Sequence, residues 1–184
     1  KLTTLSALIR HITSATDRLE VYQAVAQAAT TLLGARIARV WIADHEHRVL
    51  RSLATFGVDP EAEQIMSELS TLRFGEGVAG ATFASRVSDY ISDMQRDTRR
   101  VNPRLGREAG LHACATLPLL TEDRAVGVLN IYFGPRDQFT AEEKELMGLL
   151  ADEAAVAIHK SQLYAETERR RREADVLAEI ARDI

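Results

Sequence analysis

The sequence predicts an α+β fold, a sheet built around one antiparallel hairpin and covered by helices. The first observation behind this is the stretch HACATLPLLTEDRAVGVLNIYF at residues 112–133. Two apolar runs, 112–120 and 125–133, flank the polar turn Thr121-Glu122-Asp123-Arg124. That is the pattern of a β-hairpin buried on at least one face. The second observation is Thr140-Ala141-Glu142-Glu143, a capping box that opens a run of strong helix formers reaching Ile184. The third is an earlier helix, started by Asp17 with Glu20 three residues on and ended by Gly34.

Composition narrows the class. The chain has 184 residues, the length of one domain with extensions. A hydrophobic share of 46% supplies a core, and a net charge of -4 with both signs mixed implies no nucleic-acid partner. The single cysteine, Cys114, excludes an internal disulfide and a Cys-only zinc site, and fits a reducing, cytoplasmic setting. No apolar run approaches the ~20 residues of a membrane helix, so no membrane span is expected within this stretch. The chain does not start with Met, so it reads as an excised piece of a longer protein.

The elements follow in order. Residues 2–15 form an amphipathic helix with Leu5, Leu8, Ile9 and Ile12 on one face. The next helix buries Tyr22, Val25, Ala26, Ala29, Leu32 and Leu33. The strand at 36–43 alternates Ile37, Arg39 and Trp41 against Ala38, Val40 and Ile42, and a second strand spans 49–56. Asp59-Pro60-Glu61 starts a helix running to about residue 69, with a capping Asp, a Pro in the first turn and an acid near the dipole. A short extended piece at 72–74 precedes Gly75-Glu76-Gly77-Val78-Ala79-Gly80 and a helix to about residue 86. A brief strand occupies 89–91. Residues 92–110 are a polar, Arg-rich connection with one helical turn near 104–109, and irregular stretches of that length are usually functional or mobile. In the hairpin, Pro118 belongs at a bulge or a strand edge, and Gly127 marks a close approach of another backbone or helix.

If continuous, the last helix from residue 141 to 184 is ~65 Å long. Its first half carries Leu146, Leu149, Leu150, Ala154, Val156, Ala157 and Leu163, suited to pack on the sheet. Its second half, with AETERRRREAD, must project into solvent or pair with another chain. Coiled-coil pairing through Leu149, Val156, Leu163, Ala174, Leu177 and Ile184 is interrupted by Lys160, Thr167 and Arg170, which makes the seam weak. Arg169–Arg172 reads as a solvated face, with Glu166 to Arg170 and Glu168 to Arg172 as i,i+4 pairs. Residues 4–12 align with 176–184, matching Leu5 to Leu177, Leu8 to Ile180, Arg10 to Arg182 and Ile12 to Ile184. A repeat boundary there implies a second, related domain in the parent protein.

Taken together, the motifs resemble a GAF domain over about residues 19–164. The matching pieces are Leu33-Gly34-Ala35-Arg36 before a strand; Gly75-Glu76-Gly77-Val78-Ala79-Gly80; Asp93 with Asp97 and Arg99; Gly110-Leu111-His112-Ala113 leading to Thr116-Leu117-Pro118-Leu119; Val126-Gly127-Val128-Leu129; and Phe139-Thr140-Ala141-Glu142-Glu143. The resemblance implies a central antiparallel sheet of about six strands, with terminal helices on one face. It places ligand-pocket helices and loops on the other face. It also implies a regulatory sensor module, commonly dimeric, that signals through its C-terminal helix to an output domain. In bacterial relatives that output is often a histidine kinase, a diguanylate cyclase, a phosphatase or a transcription activator.

Strand alternation suggests the pocket lining. His112, Cys114 and Thr116 share one face, as do Asn130 and Tyr132 on the next strand, while Phe74, Val78, Phe83 and Tyr90 are placed in the roof. Asn130 and Thr116 are polar within apolar strands and need partners, either a ligand or water. The resemblance admits haem ligation through His112, against the plainer reading of a strand-end histidine. A bilin is not expected, because Cys114 is followed by Ala115 where bilin-binding relatives have His. One cysteine cannot form the recycling disulfide of the GAF methionine sulfoxide reductases, and Cys114 reads as a small buried hydrophobe. The Lys and Asp of cyclic-nucleotide GAF signatures are missing around Asn130-Ile131 and Phe139. Gly75-x-Gly77-x-x-Gly80 spells a dinucleotide fingerprint but lacks the βαβ context that motif requires. His45 and His47 read as a solvated turn, and His159 has no phosphoacceptor motif around it. No Ser–His–acid elbow, P-loop or HExxH occurs, so no metal site is expected and the module is expected to be non-catalytic.

The resulting expectation is a cytoplasmic sensor. Residues 1–16 form an N-terminal dimer or signalling helix, 17–164 the sensor domain, and 165–184 a signalling helix leading to a following domain. Its partners are a small-molecule ligand, a second copy through the terminal helices, and an output domain of histidine kinase or cyclic-di-GMP enzyme type in the same parent chain. The contrasting expectation is a structural dimerisation or linker module with a vestigial pocket.

Overall fold

The computed structural model describes residues 6–7, 10–12, 14–15, 17–57, 59–99 and 102–184. Of the first predicted helix, Leu5, Leu8 and Ile9 lie outside the described residues; Ile12 is buried. The elements are α1 (Arg18–Leu33), β1 (Ile37–Asp44), β2 (Val49–Phe56), α2 (Pro60–Ser67), β3 (Thr71–Arg73), α3 (Gly77–Ser85), β4 (Asp89–Ile91), α4 (Arg104–Arg107), β5 (Ala113–Leu120), β6 (Ala125–Phe133) and α5 (Ala141–Arg182). Six strands form one sheet in the order β3-β2-β1-β6-β5-β4, every neighbour antiparallel.

The caps act where the sequence places them. Asp17 accepts from the Leu19 N–H, Asp59 from the Ala62 N–H at 2.8 Å, and Gly34 ends α1 at φ 63. At Thr140 both halves of the capping box form: its hydroxyl accepts from the Glu143 N–H at 3.1 Å, and Glu143 accepts from the Thr140 N–H at 2.9 Å. These bonds answer backbone donors that a helix start leaves open.

Alternation along the strands separates two apolar faces. One side presents Ala38, Val40, Ala115, Leu117, Leu129 and Ile131, which pack with α1 and with Met147, Leu150, Ala154 and Ile158 of α5. The other presents Ile37, Cys114 and Tyr132 to α2 and α4, and Trp41, Leu50 and Val128 to α3. Gly127 sits where β6 crosses β1, and a Cβ there would overlap the Trp41 carbonyl. Pro118 lies past the end of β4, which pairs only as far as Thr116, so β5 has an open edge there.

The last helix is unbroken over 42 residues, about 63 Å at 1.5 Å per residue. Leu149, Val156 and Leu163, expected against the sheet, are instead 47%, 60% and 50% exposed. Spaced by seven, they fall on the side of the helix opposite Met147, Leu150, Ala154 and Ile158, because each residue turns by about 100°. The last buried residue of the helix is Ser161. Among the described residues no helix is long and apolar enough to cross a membrane.

Gly127→Val is expected to destabilise the fold by about 1–3 kcal/mol, because the added side chain must displace the β1 backbone. A lowered urea midpoint at unchanged slope measures this.

Candidate functional site

The face of the sheet away from α1 and α5 holds a cavity of about 60 Å³. Its floor is Arg39 and Trp41 of β1, Asn130 and Tyr132 of β6, and Cys114 of β5. Register explains the grouping: Arg39 lies opposite Asn130, and Cys114 opposite Tyr132, so alternate residues of three adjacent strands point to one side. Val78 and Ala79 of α3, and Leu69 and Leu72 on either side of the turn into β3, form part of the wall. The connection at 92–110 closes it with Met94, Asp97, Asn102 and Leu105. That connection is anchored to the sheet where the Met94 N–H donates to the His112 carbonyl at 2.7 Å.

A polar ladder crosses the floor. The Thr116 hydroxyl donates to Asn130 Oδ1 at 2.9 Å, and Asn130 Nδ2 donates to the Tyr132 hydroxyl at 3.0 Å. The expected partner of Asn130 and Thr116, a ligand or water, is therefore replaced by the side chains themselves. All three are at least 95% buried, and in that medium each bond matters because an unmade one exposes a desolvated group. Burial pushes the Tyr132 phenol up to about 12, with Cys114 adding to the rise and Arg39 opposing it. Tyr132 thus stays protonated at neutral pH.

Arg39 is the buried charge of the site, 3% exposed. Its Nε donates to the Ser52 hydroxyl at 2.6 Å, and Nη2 donates to the Met66 carbonyl at 2.9 Å and to the Leu69 carbonyl. Its guanidinium carbon stands 4.3 Å from the centroid of Trp41, a cation–π contact. Burial lowers its pKa below the usual range, countered by Tyr132, yet an arginine remains charged in a protein. The acid of the roof, Asp97, is held by Arg99, which donates from its backbone N–H at 2.8 Å and from Nε at 3.1 Å. Arg99 also bridges to Asp89 at 2.7 Å, and these acids raise its pKa.

Of the residues expected to line the pocket, Val78, Cys114, Asn130 and Tyr132 do so. Phe74 and Phe83 stand beside it, stacked on each other at 4.3 Å between centroids and packed around Trp41, Leu50 and Leu72. Thr116 is outside the lining, beside Asn130 on the adjacent strand. His112 is half-buried and outside the lining, and its backbone N–H donates to the Phe133 carbonyl at 3.0 Å. Tyr90 is a correction. It pairs with Ala115, whose side chain belongs to the helix-covered face, and its ring packs on Phe139 at 5.6 Å. Period-two alternation carries it away from the cavity, while Asp89 and Ile91 face the other way.

Sequence reasoning missed Arg39, Trp41, Leu69, Leu72, Ala79, Ile91, Met94, Asp97, Asn102 and Leu105. The signal for the first two was an arginine and a tryptophan on one face of an otherwise apolar strand. Among the described residues, no group of three or more His, Cys, Asp or Glu could hold a metal ion.

The chain matches the family model described as GAF domain over residues 15–159. No curated protein matches it. Among solved structures it is similar to the GAF domain of a phosphoenolpyruvate-protein phosphotransferase from Coxiella burnetii, with 22% identity, a TM-score of 0.77, and 90% of this chain and 96% of that one covered. It is also similar to the GAF-B domain of DevS from Mycobacterium smegmatis, with 26% identity, a TM-score of 0.61, and 84% and 99% covered. A third likeness is the free methionine-R-sulfoxide reductase of Neisseria meningitidis, solved with its substrate, with 17% identity, a TM-score of 0.72, and 88% and 89% covered.

Cys114 is 3% exposed, and its thiol is pushed up strongly by burial. Reactivity needs an accessible thiolate. Iodoacetamide at neutral pH is expected to leave the native chain unmodified and to alkylate it stoichiometrically in denaturant, as intact mass would show.

Proposed function

Starting from the fact that the chain belongs to the GAF domain family, whose members are generally regulatory sensor domains, we propose that it binds a small molecule in the cavity under the 92–110 connection. It passes that event through α5 to an output domain of the same parent protein, of histidine kinase or cyclic-di-GMP enzyme type. Residues 17–164 are the sensor, and 1–16 and 165–184 are signalling helices. The module is non-catalytic, works in the cytoplasm, and acts as a dimer through its terminal helices.

The observation that carries this reading is that β6 serves both faces. Asn130 and Tyr132 line the cavity, while Leu129, Ile131 and Phe133 belong to the core that α5 helps to close. A ligand that moves β6 must therefore move the surface on which α5 rests, and interdigitated cores transmit such shifts rather than absorb them. The exposed stripe Leu149, Val156 and Leu163, continued by Leu177, supports pairing of two copies. The driving energy would be the ligand's difference in affinity between two helix geometries.

Native mass spectrometry of the purified chain is expected to show a dimer carrying mass beyond two polypeptides. Val156→Glu with Leu163→Glu is expected to give a monomer with an unchanged far-UV spectrum, since both sites are on the surface. A dimer without extra mass would favour the structural linker module, and a bare monomer would overturn helix-mediated signalling.

A further inference from the structure

Resting on the reading of this cavity as the sensor's binding site, we propose that its ligand is a small oxyanion, a carboxylate or inorganic phosphate, held by the guanidinium of Arg39. Arg39 lies in the middle of the pocket face, and no carboxylate among the described residues pairs with it. Nε and Nη2 are used by Ser52, Met66 and Leu69, which leaves Nη1 with no acceptor among the described residues. A buried cation held only by neutral groups is a costly arrangement that an anion relieves.

Two further donors belong to the same wall. Trp41 is 2% exposed, and its Nε1 has no hydrogen-bond partner among the described residues. The Tyr132 hydroxyl receives Asn130 Nδ2, and among the described residues nothing accepts its own proton. The acceptors of the lining are already engaged. Asp97 is held by Arg99, and Asn102 Oδ1 receives the Arg104 N–H at 3.0 Å. Apart from Asp97, which Arg99 pairs, the residues lining the cavity carry one charge, Arg39, together with N–H and O–H donors that have no acceptor among the described residues. Charge-assisted bonds to a carboxylate or phosphate oxygen are the strong use of such a set. Size sets the other limit: about 60 Å³ is small beside the ~300–1,000 Å³ of pockets that hold drug-sized ligands. It suits an anion of about four or five heavy atoms and excludes a nucleotide.

Trp41 is the chain's one tryptophan, so its fluorescence reports on the site directly. The test titrates the whole chain with sodium acetate, sodium phosphate and, as a neutral isostere, acetamide, at fixed pH and ionic strength. A saturable change in Trp41 emission with acetate or phosphate, and none with acetamide, is expected; whichever anion responds identifies the source. Arg39→Lys keeps the charge but loses the fork, and should weaken the anion by about tenfold. Tyr132→Phe preserves the buried shape and should weaken it several-fold, so the proposal stays testable should Arg39→Lys not fold. An equal response to acetamide and acetate would overturn the anion class while leaving a small-molecule pocket. No response to either anion would overturn the proposal. If the purified chain also carries no bound mass, the sensor reading falls with it.

Discussion

The guanidinium of Arg39 is buried in the centre of a sheet face, and the pocket side of the domain is arranged around it. Its partners are the carbonyls of Met66 and Leu69, at the end of α2 and in the turn that follows. A helix C-terminus leaves carbonyls unbonded and carries partial negative charge, so a cation there is favourable. One side chain thereby docks α2 onto the sheet, places the turn into β3, and sets Trp41 by lying on its ring. The neighbouring strands answer with a chain of hydrogen bonds from Thr116 of β5 to Asn130 and on to Tyr132 of β6. Removing any of these leaves desolvated polar atoms in a medium where water cannot replace the lost partner.

The opposite face obeys a simpler rule. Ala24, Ala28, Ala38, Ala113, Ala115, Ala151, Ala154 and Ala155 are all nearly or fully buried there, so helix and sheet backbones approach closely and small shifts meet hard contacts. Strand β6 is shared between this face and the polar one, and Gly127 lets β1 press against it. The long helix α5 is held by that face only as far as Ser161. Beyond it the chain is helical through local propensity and pairs such as Arg170 with Glu166, bonded at 2.6 Å.

Legibility in the sequence followed the range of the signal. Capping residues and period-two alternation are local, and they placed the helix starts, the hairpin and the two faces of β1. Gly127 announced its close approach, although only the fold says that Trp41 is the neighbour. Tyr90 failed because a three-residue strand gives too short a pattern to tell which side meets the cavity. Leu149 and Val156 were read both against the sheet and on an outward stripe; apolarity alone does not choose between these, and their angular position around the helix sets them on the exposed side. The 92–110 roof has no periodicity, and its contribution to the cavity depends on long-range closure. Arg39 was visible in its alternation with Ile37 and Trp41, but an arginine in a strand is ordinarily an exposed edge residue, and its burial depends on α2 packing above it.

The size of the cavity also bounds what a ligand can do. At a ceiling of about 1.5 kcal/mol per heavy atom, an anion of four or five atoms supplies at most ~6–8 kcal/mol. Driving a helix pair from 1:99 to 99:1 takes about 5.5 kcal/mol of difference between the two states. Nearly all of the binding energy would then have to be differential. A pair poised nearer balance needs far less, about 2.6 kcal/mol to go from 10:90 to 90:10. In the proposed dimer the α5 stripe would have that character: Leu149, Val156 and Leu163 are apolar and exposed, while Lys160, Thr167 and Arg170 interrupt the stripe and would keep any one register shallow. The proposed ligand and the proposed seam fit each other in scale, because a stronger coiled coil could not be moved by so small a ligand.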